Sequence, residues 1–169
     1  MAALTATVEW RGGTSFLARA GSGGRVEIRA AGEVQGAGGR TLDELADEAS
    51  AAPVRPKEAV LAGLGGCTGI DVVSILDKMR QPLEGFAVEI AAEQAESDPK
   101  VFTHLRLRYR FTGPLEPARV VRAVRLSEEK YCGVLAMLAQ TASVQTEVEL
   151  NGQELAYEPA EVPARSRAS

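Results

Sequence analysis

Residues 64–79, LGGCTGIDVVSILDKM, decide the fold of this chain because they form the centre of its longest apolar segment. Pro56 suits the first turn of a helix, and the pattern continues to about Arg80. No charged residue lies between Glu58 and Asp71. A helix that is apolar all round is buried on all its sides. The sequence therefore predicts a long central helix that other elements cover.

Short alternating segments on both sides of this helix predict strands. Residues 4–10 and 25–30, with SFLARA between them, indicate an N-terminal meander. In residues 101–111 the apolar side chains fall on one face and the polar ones on the other; the predicted core face comprises Val101, Leu105, Leu107, Tyr109 and Phe111. A helix after Pro117, a short helix over 134–140 and a last strand in SVQTEVELNG follow. This order predicts an α+β fold with an antiparallel sheet.

The chain length of 169 residues suits one domain. We assign this domain to residues 1–157. Residues 31–54 are small, polar and weakly patterned, so we interpret them as a surface insertion with a turn or two of helix over 42–49. We expect residues 158–169 to form a disordered tail.

Composition and charge argue against several classes of partner. The net charge of -4 and the 5% of aromatic residues do not favour nucleic-acid binding. The N-terminus lacks the pattern of a signal peptide, and residues 59–70 are too short and too rich in glycine to span a bilayer. We therefore expect a cytoplasmic protein without a membrane partner. A single histidine and no Cys-x-x-Cys pair leave little material for a metal site, so we expect no metal or other cofactor.

The two cysteines are the candidate reactive groups. Cys67 lies in the middle of the predicted helix, and Cys132 lies where two later helices meet. In the cytoplasm such thiols are redox-active or simply buried, and a free cysteine often packs as a small hydrophobe. Glu58 precedes Cys67 by nine residues, about 13 Å along a helix. Direct contact between them needs an irregular first turn or a subunit boundary; otherwise Glu58 is a first-turn carboxylate that the helix dipole favours.

Three segments in order resemble the OsmC/Ohr family of thiol-dependent peroxidases: PKEAVLAGLGGCTGIDVVSILDKMR, KVFTHLRLRYRFTG and LSEEKYCGVLAML. The similarity is strong over residues 53–150 and weaker over residues 1–30. It implies an OsmC-like fold in an intertwined homodimer, with each sheet wrapped around the central helices and the active sites at the subunit interface. The glycines around Cys67 would then allow close packing that offsets their helix-propensity cost of about 1 kcal/mol each.

The resemblance also implies roles for three residues. Cys67 matches the peroxidatic cysteine, which attacks a hydroperoxide and becomes a sulfenic acid. Cys132 matches the resolving cysteine, which forms a disulfide that an external dithiol reduces. Glu58 matches an active-site carboxylate that holds an arginine in better-known members. Arg11, Arg19, Arg40 and Arg55 are the candidate arginines.

Two functions from different classes follow. The first is an enzyme that reduces organic hydroperoxides. The second is a non-catalytic dimer that holds a small apolar ligand or senses redox state. The presence or absence of an arginine beside Cys67 distinguishes the two functions. Without one, Cys67 in apolar surroundings would have a raised pKa and react slowly.

Overall fold

The computed structural model describes residues 4–13, 15–21, 23–29 and 56–159. The predicted insertion over 31–54, with its short helix, lies outside the described residues. So do residues 160–169 of the predicted tail. The domain boundaries therefore stay predictions.

The N-terminal meander has the three predicted strands. They are β1 (Leu4–Trp10), β2 (Ser15–Ala20) and β3 (Arg25–Arg29). β1 pairs antiparallel with β2, and β2 with β3. Val8 and Phe16 are fully buried, so this meander supplies part of the core face of the sheet.

The central helix α1 spans Pro56–Lys78, close to its predicted bounds. An acidic residue in the first turn and a basic one in the last suit the helix dipole. The helix packs on β1, β2 and β4. Its sheet-facing side is fully buried at Leu61, Leu64, Val72 and Leu76, whereas Val60 is 41% exposed. The described part of the chain therefore covers only part of the apolar helix surface.

Two glycines of α1 allow the helix to approach its own sheet. A Cβ atom at position 65 would lie 2.4 Å from a methyl group of Val8, and one at position 69 would lie 2.8 Å from the ring of Phe16. Gly63 has no such neighbour within 4 Å. Close packing thus explains Gly65 and Gly69, but the contacts are with β1 and β2 of the same chain.

The hairpin of β4 (Gly85–Gln94) and β5 (Phe102–Thr112) follows the helix. Four of the five predicted core residues are buried: Leu105, Leu107, Tyr109 and Phe111. The prediction for Val101 was wrong, because it precedes β5 and is 41% exposed. The pairing with β4 shifts by one residue after Glu93. Phe102 is therefore buried, although strict alternation along the strand would predict that its side chain is exposed.

A helical crossover joins β5 to the last strands. It contains α2 (Pro117–Leu126), a π-helical segment (Ser127–Tyr131) and α3 (Gly133–Leu138). The crossover ends at β6 (Ser143–Leu150), which runs parallel to β5, and β7 (Gln153–Leu155) pairs antiparallel with β6. The expectation of an antiparallel sheet is therefore wrong for one strand pair, since a long helical crossover returns the chain to the same end of the sheet.

In the described part of the chain, seven strands form one sheet in the order β3-β2-β1-β4-β5-β6-β7. The core lies between this sheet and the helices. The other face carries a ladder of ion pairs, for example Arg108 with Glu149 and Arg110 with Glu89. The predicted α+β fold class is confirmed.

Lys57–Lys78 is long and apolar enough to cross a bilayer, with a mean hydropathy of 1.8. The prediction from length concerned residues 59–70 alone, and the whole helix is longer. What marks it as a core helix is its packing, because 56% of its most apolar window is buried inside the protein.

Candidate active site

Cys67 and Cys132 meet at the junction of α1 and the crossover. Their sulfur atoms and a carboxylate oxygen of Asp71 all lie within 4.8 Å of one another. Both cysteines are free thiols; Cys67 is partly exposed and Cys132 is buried. Cys67 and Asp71 are four residues apart and so share one face of α1. The structure thus brings two of the three predicted site residues together.

Cys132 has an extended backbone conformation and lies between the π-helical segment and α3. Its backbone N–H donates to the carbonyl oxygen of Ser127 at 2.8 Å and closes the π-helical segment. Its sulfur accepts a hydrogen bond from the backbone N–H of Leu135 at 3.4 Å and caps α3. Backbone geometry on both sides therefore fixes the position of this thiol.

The environment of Cys67 lowers its pKa to about 6. The main cause is a hydrogen bond from the Cys132 thiol, which overcomes the opposing effect of burial. The backbone N–H groups of Val134 and Gly133, in the first turn of α3, add to the effect, whereas the charge of Asp71 opposes it. The expectation that Cys67 would have a raised pKa without an arginine was wrong, because the Cys132 thiol and, to a smaller extent, the first backbone N–H groups of α3 donate to Cys67.

The same hydrogen bond has the opposite effect on Cys132. Donation to the Cys67 thiolate, followed by burial, raises the pKa of Cys132 well above its ordinary value. The two thiols are therefore unequal at neutral pH: Cys67 is mostly a thiolate, whereas Cys132 keeps its proton.

Asp71 connects this centre to a buried chain of hydroxyl groups. Burial raises the pKa of the Asp71 carboxyl, and a hydrogen bond from Ser127 partly offsets this rise. The Ser127 hydroxyl lies 3.2 Å from the carboxylate and 2.8 Å from the hydroxyl of Thr68. Thr68 lies in turn 2.8 Å from the hydroxyl of Tyr109.

A second buried carboxyl ends this chain. Tyr109 donates to Glu128 at 3.2 Å. Thr146 and Tyr157 also donate to Glu128, at 2.8 and 2.6 Å. Burial raises the pKa of Glu128 despite these three hydrogen bonds. A continuous polar path therefore runs from the thiol centre through the core to the last strands.

Glu58 does not join the thiols within one chain. It lies in the first turn of α1 and is only 2% exposed. The helix is continuous from Pro56, so nine residues separate Glu58 from Cys67 by about 13 Å along the axis. An irregular first turn is excluded, and a contact across a subunit boundary stays a prediction.

Arg11 and Arg19, the two candidate arginines in the described part of the chain, are not among the groups that lower the pKa of Cys67. Arg11 and Arg19 form ion pairs with Glu9 at 2.9 and 3.6 Å. Glu9 follows Val8 on β1 and so faces away from α1. Arg40 and Arg55 lie outside the described residues.

The thiol centre offers two sulfur donors and one oxygen donor to a metal ion. A closed structural zinc site takes four protein ligands, and the described residues supply three here. The thiols already form a hydrogen-bonded pair with one thiolate and one proton. The unequal protonation of the two thiols suits thiol redox chemistry.

The buried polar chain was harder to predict from the sequence than the two cysteines. Asp71 stood out as the first charge to interrupt an apolar run. Thr68 and Ser127 carried no signal, because hydroxyl side chains occur on any helix face. Tyr109 fitted a core position in β5, and only the structure shows that its hydroxyl serves as a link.

Comparisons with known proteins bear on the origin of this arrangement. A family model described as "OsmC-like protein" matches residues 47–147, which include both cysteines. Protein YhfA of Escherichia coli strain K12 is 37% identical over 142 residues, which cover 83% of this chain and 93% of YhfA.

The chain belongs to the OsmC-like family. The family resemblance predicted from the sequence is thereby confirmed. A solved structure of a hypothetical protein from Aquifex aeolicus VF5 is 25% identical, with a TM-score of 0.57, and the match covers 86% of this chain and 94% of that one. An OsmC-like hydroperoxide resistance protein from Jannaschia sp. CCS1 is 12% identical, with a TM-score of 0.55. The match covers 90% of this OsmC-like chain and 96% of the Jannaschia chain, and at this identity it shows a shared fold.

Proposed function

We propose that this protein is a thiol-dependent peroxidase that reduces organic hydroperoxides with Cys67 and Cys132. The observation that carries the proposal is the unequal thiol pair. The sulfurs lie within 4.8 Å, and the pKa of Cys67 is lowered to about 6 while Cys132 keeps its proton. A thiolate beside a protonated thiol suits oxidation followed by disulfide formation.

The first step is nucleophilic attack by Cys67. The thiolate attacks the terminal oxygen of the hydroperoxide, a sulfur–oxygen bond forms and the oxygen–oxygen bond breaks. The leaving alkoxide takes up a proton and departs as an alcohol. Cys67 is left as a sulfenic acid, which is the first and reversible stage of thiol oxidation.

The second step joins the two cysteines. The Cys132 sulfur attacks the Cys67 sulfur, a disulfide forms and water leaves. An external dithiol then reduces the disulfide by exchange and becomes oxidised itself. Both original thiols are restored, so the cycle consumes one hydroperoxide and two electrons from the dithiol.

The name of a fold relative is consistent with this chemistry. The Jannaschia protein is called a hydroperoxide resistance protein, and its similarity to this chain is one of fold. The name YhfA states no activity. Support for the peroxidase therefore comes chiefly from the thiols.

Apolar side chains around the thiols favour alkyl hydroperoxides over hydrogen peroxide. Ile70 and Val134 pack against the core beside Cys67. Tyr131 and Met137, on either side of Cys132 in the crossover, are 51% and 67% exposed. An alkyl group would gain from contact with such surfaces, at about 25 cal/mol per Å² of apolar area removed from water.

A homodimer is part of the proposal. Ala59, Val60 and Gly63 leave one side of α1 exposed near Cys67. A second α1 helix on this side would bury the apolar stripe and would bring the partner's first helical turn near the thiols. Glu58 would then act across the subunit boundary.

We further propose that the protein works in the cytoplasm. Free thiols persist there, because the compartment is reducing, and a dithiol reductant is at hand. No nucleic acid, membrane or cofactor enters the cycle.

The alternative is a non-catalytic dimer that binds a small apolar ligand or senses redox state. The exposed Tyr131 and Met137 favour it, since such side chains suit a ligand or a partner. Peroxide consumption distinguishes the two functions. With dithiothreitol as the dithiol, the peroxidase should reduce cumene hydroperoxide catalytically and reduce hydrogen peroxide more slowly. A protein that consumes neither substrate above the uncatalysed rate would be the binding or sensing protein.

A further inference from the structure

The number of protons in the buried chain of hydroxyl groups limits how the two carboxyl groups at its ends can be protonated. Four hydrogen-bond links connect five side chains, in the order Asp71, Ser127, Thr68, Tyr109 and Glu128. The three hydroxyl groups supply at most three protons to these links, because each hydroxyl donates once and that of Ser127 can also donate to the Thr68 carbonyl oxygen at 3.4 Å. One link therefore lacks a proton when both carboxyl groups are ionised. A single additional proton, on either carboxyl, completes the chain.

That additional proton can lie at either end. When the additional proton is on Glu128, every hydroxyl donates towards Asp71, which is then ionised. When it is on Asp71, every hydroxyl donates towards Glu128. Burial raises the pKa of both carboxyls, which favours a proton on one of them. The links are 2.8–3.2 Å long, so a concerted reversal of the hydroxyls moves the proton without moving heavy atoms.

Cys132 needs a proton acceptor once Cys67 has been oxidised. Before oxidation its proton is bound to the Cys67 thiolate. A sulfenic acid at Cys67 carries no negative charge, so this acceptor is lost. Asp71 is the carboxylate within 4.8 Å of both sulfurs, a separation that one water molecule or a sulfenic hydroxyl can bridge.

We propose that Asp71 is the proton acceptor for Cys132 in disulfide formation and that the hydroxyl chain to Glu128 keeps Asp71 available in its ionised form. This inference rests on the proposed peroxidase. As the Cys132 sulfur attacks Cys67, its proton passes to Asp71. The sulfur–oxygen bond breaks, and the leaving hydroxide takes the proton from Asp71 and departs as water. Thiol, sulfenic acid, disulfide and water balance, and Asp71 returns to its starting state.

Ellman's reagent, 5,5′-dithiobis(2-nitrobenzoic acid), separates this step from peroxide chemistry. Cys67 attacks the reagent and releases one coloured thiolate. Cys132 then attacks the mixed disulfide and releases a second, while its proton goes to Asp71. In Asp71→Asn the second phase should slow by about 100-fold, the scale of a general base. The first phase should stay equal or become faster, since a negative charge that opposes Cys67 ionisation is gone.

Asp77→Asn is the matched control, because Asp77 is exposed on the same helix. Both phases should match the wild type. Equal slowing of both phases in Asp71→Asn, or an unchanged second phase, would overturn the assignment. The assay needs no peroxide, so a wild type with two normal phases but no peroxidase activity would contradict the proposed function alone.

The pH profile tests the link to Glu128. Cys67 on α1 and Cys132 beside α3 face Asp71, while Tyr109 on β5 and Tyr157 after β7 face Glu128. With Cys67 held in the mixed disulfide, the second-phase rate of the wild type should rise in two steps, since coupled carboxyls lose their protons separately.

Tyr109→Phe keeps the buried ring, which stacks on Phe86, but removes the link. One step should then replace two in the pH profile of the second phase. This variant and the wild-type profile decide the question even if Asp71→Asn does not fold. If the two-step profile is still present in Tyr109→Phe, the hydroxyl chain plays no part in this step. The same conclusion follows if the wild-type rate rises only at the pH at which thiols ionise.

Discussion

Hydrogen bonds and backbone dipoles stabilise the thiolate form of Cys67. The Cys132 thiol and the first N–H groups of α3 lower the pKa of Cys67 to about 6 despite burial. The raised pKa of Cys132 keeps its proton in place, and this proton stabilises the Cys67 thiolate. Reactivity therefore resides in the pair rather than in either residue.

Replacing each cysteine in turn should have unequal effects. Cys67→Ser should abolish hydroperoxide reduction, because a serine hydroxyl cannot be oxidised to the equivalent of a sulfenic acid. Cys132→Ser should leave the first oxidation intact and allow about one turnover, with Cys67 trapped by dimedone as a sulfenic acid. Mass spectrometry of the trapped product measures both. The reverse pattern would exchange the two roles.

The pH dependence of Cys67 alkylation follows from its lowered pKa. Iodoacetamide reacts with the thiolate, so the rate should rise through about pH 6, stay level above neutral pH and fall on acidification. Cys132→Ala should move the midpoint upward, because the largest stabilising contribution is removed. A wild-type midpoint near the ordinary value of about 8.5 would refute this account of the thiol.

Among the elements, α1 depends on glycine where it contacts the sheet. Gly65 leaves space for a methyl group of Val8, 2.4 Å from where a Cβ would lie. Gly63 faces no atom within 4 Å on the opposite side. The same residue type therefore has different roles within one helical turn.

Alanine substitutions should separate these roles. Gly65→Ala should lower the free energy of unfolding, because overpacking costs about 1–3 kcal/mol, more than the gain of about 1 kcal/mol in helix propensity. In Gly63→Ala no atom of the described residues lies within 4 Å of the new Cβ to oppose that gain. Urea unfolding measures both changes. A large loss of stability in Gly63→Ala would mean that a partner covers this position closely.

The elements also show what the sequence could predict. Hydrophobic periodicity located α1, the meander and the β4–β5 hairpin, because these depend on local pattern. The burial of Phe102 in place of Val101 could not be predicted, since a register shift depends on the partner strand. The parallel pairing of β6 and the π-helical segment before Cys132 depend on how the crossover returns to the sheet. The cysteines were recognisable by family motif, but the donors that activate Cys67 were not.

For the whole molecule, the exposed side of α1 predicts association. Val60 is 41% exposed on a helix that is otherwise apolar there. An obligate dimer typically buries more than about 2,000 Å², and α1 with the crossover would supply the apolar centre of such an interface.

Charge at Val60 should dissociate the dimer. Val60→Glu would place a carboxylate in an apolar interface, where an unpaired charge is costly. Val26→Glu is the control, because Val26 is equally exposed, at 41%, but lies on the edge strand β3. Sedimentation velocity at micromolar concentration should show a monomer for the first variant and a dimer for the second. A monomeric wild type would refute the interface.

The most direct test of the thiol cycle is the mass of the protein after one equivalent of cumene hydroperoxide. Reduced protein should lose two hydrogen atoms, and peptide mapping should find a Cys67–Cys132 cross-link within one chain, which dithiothreitol reverses. Unchanged thiols after exposure to the hydroperoxide, or a cross-link that leaves Cys132 free, would contradict the central claim that these two cysteines form the redox pair.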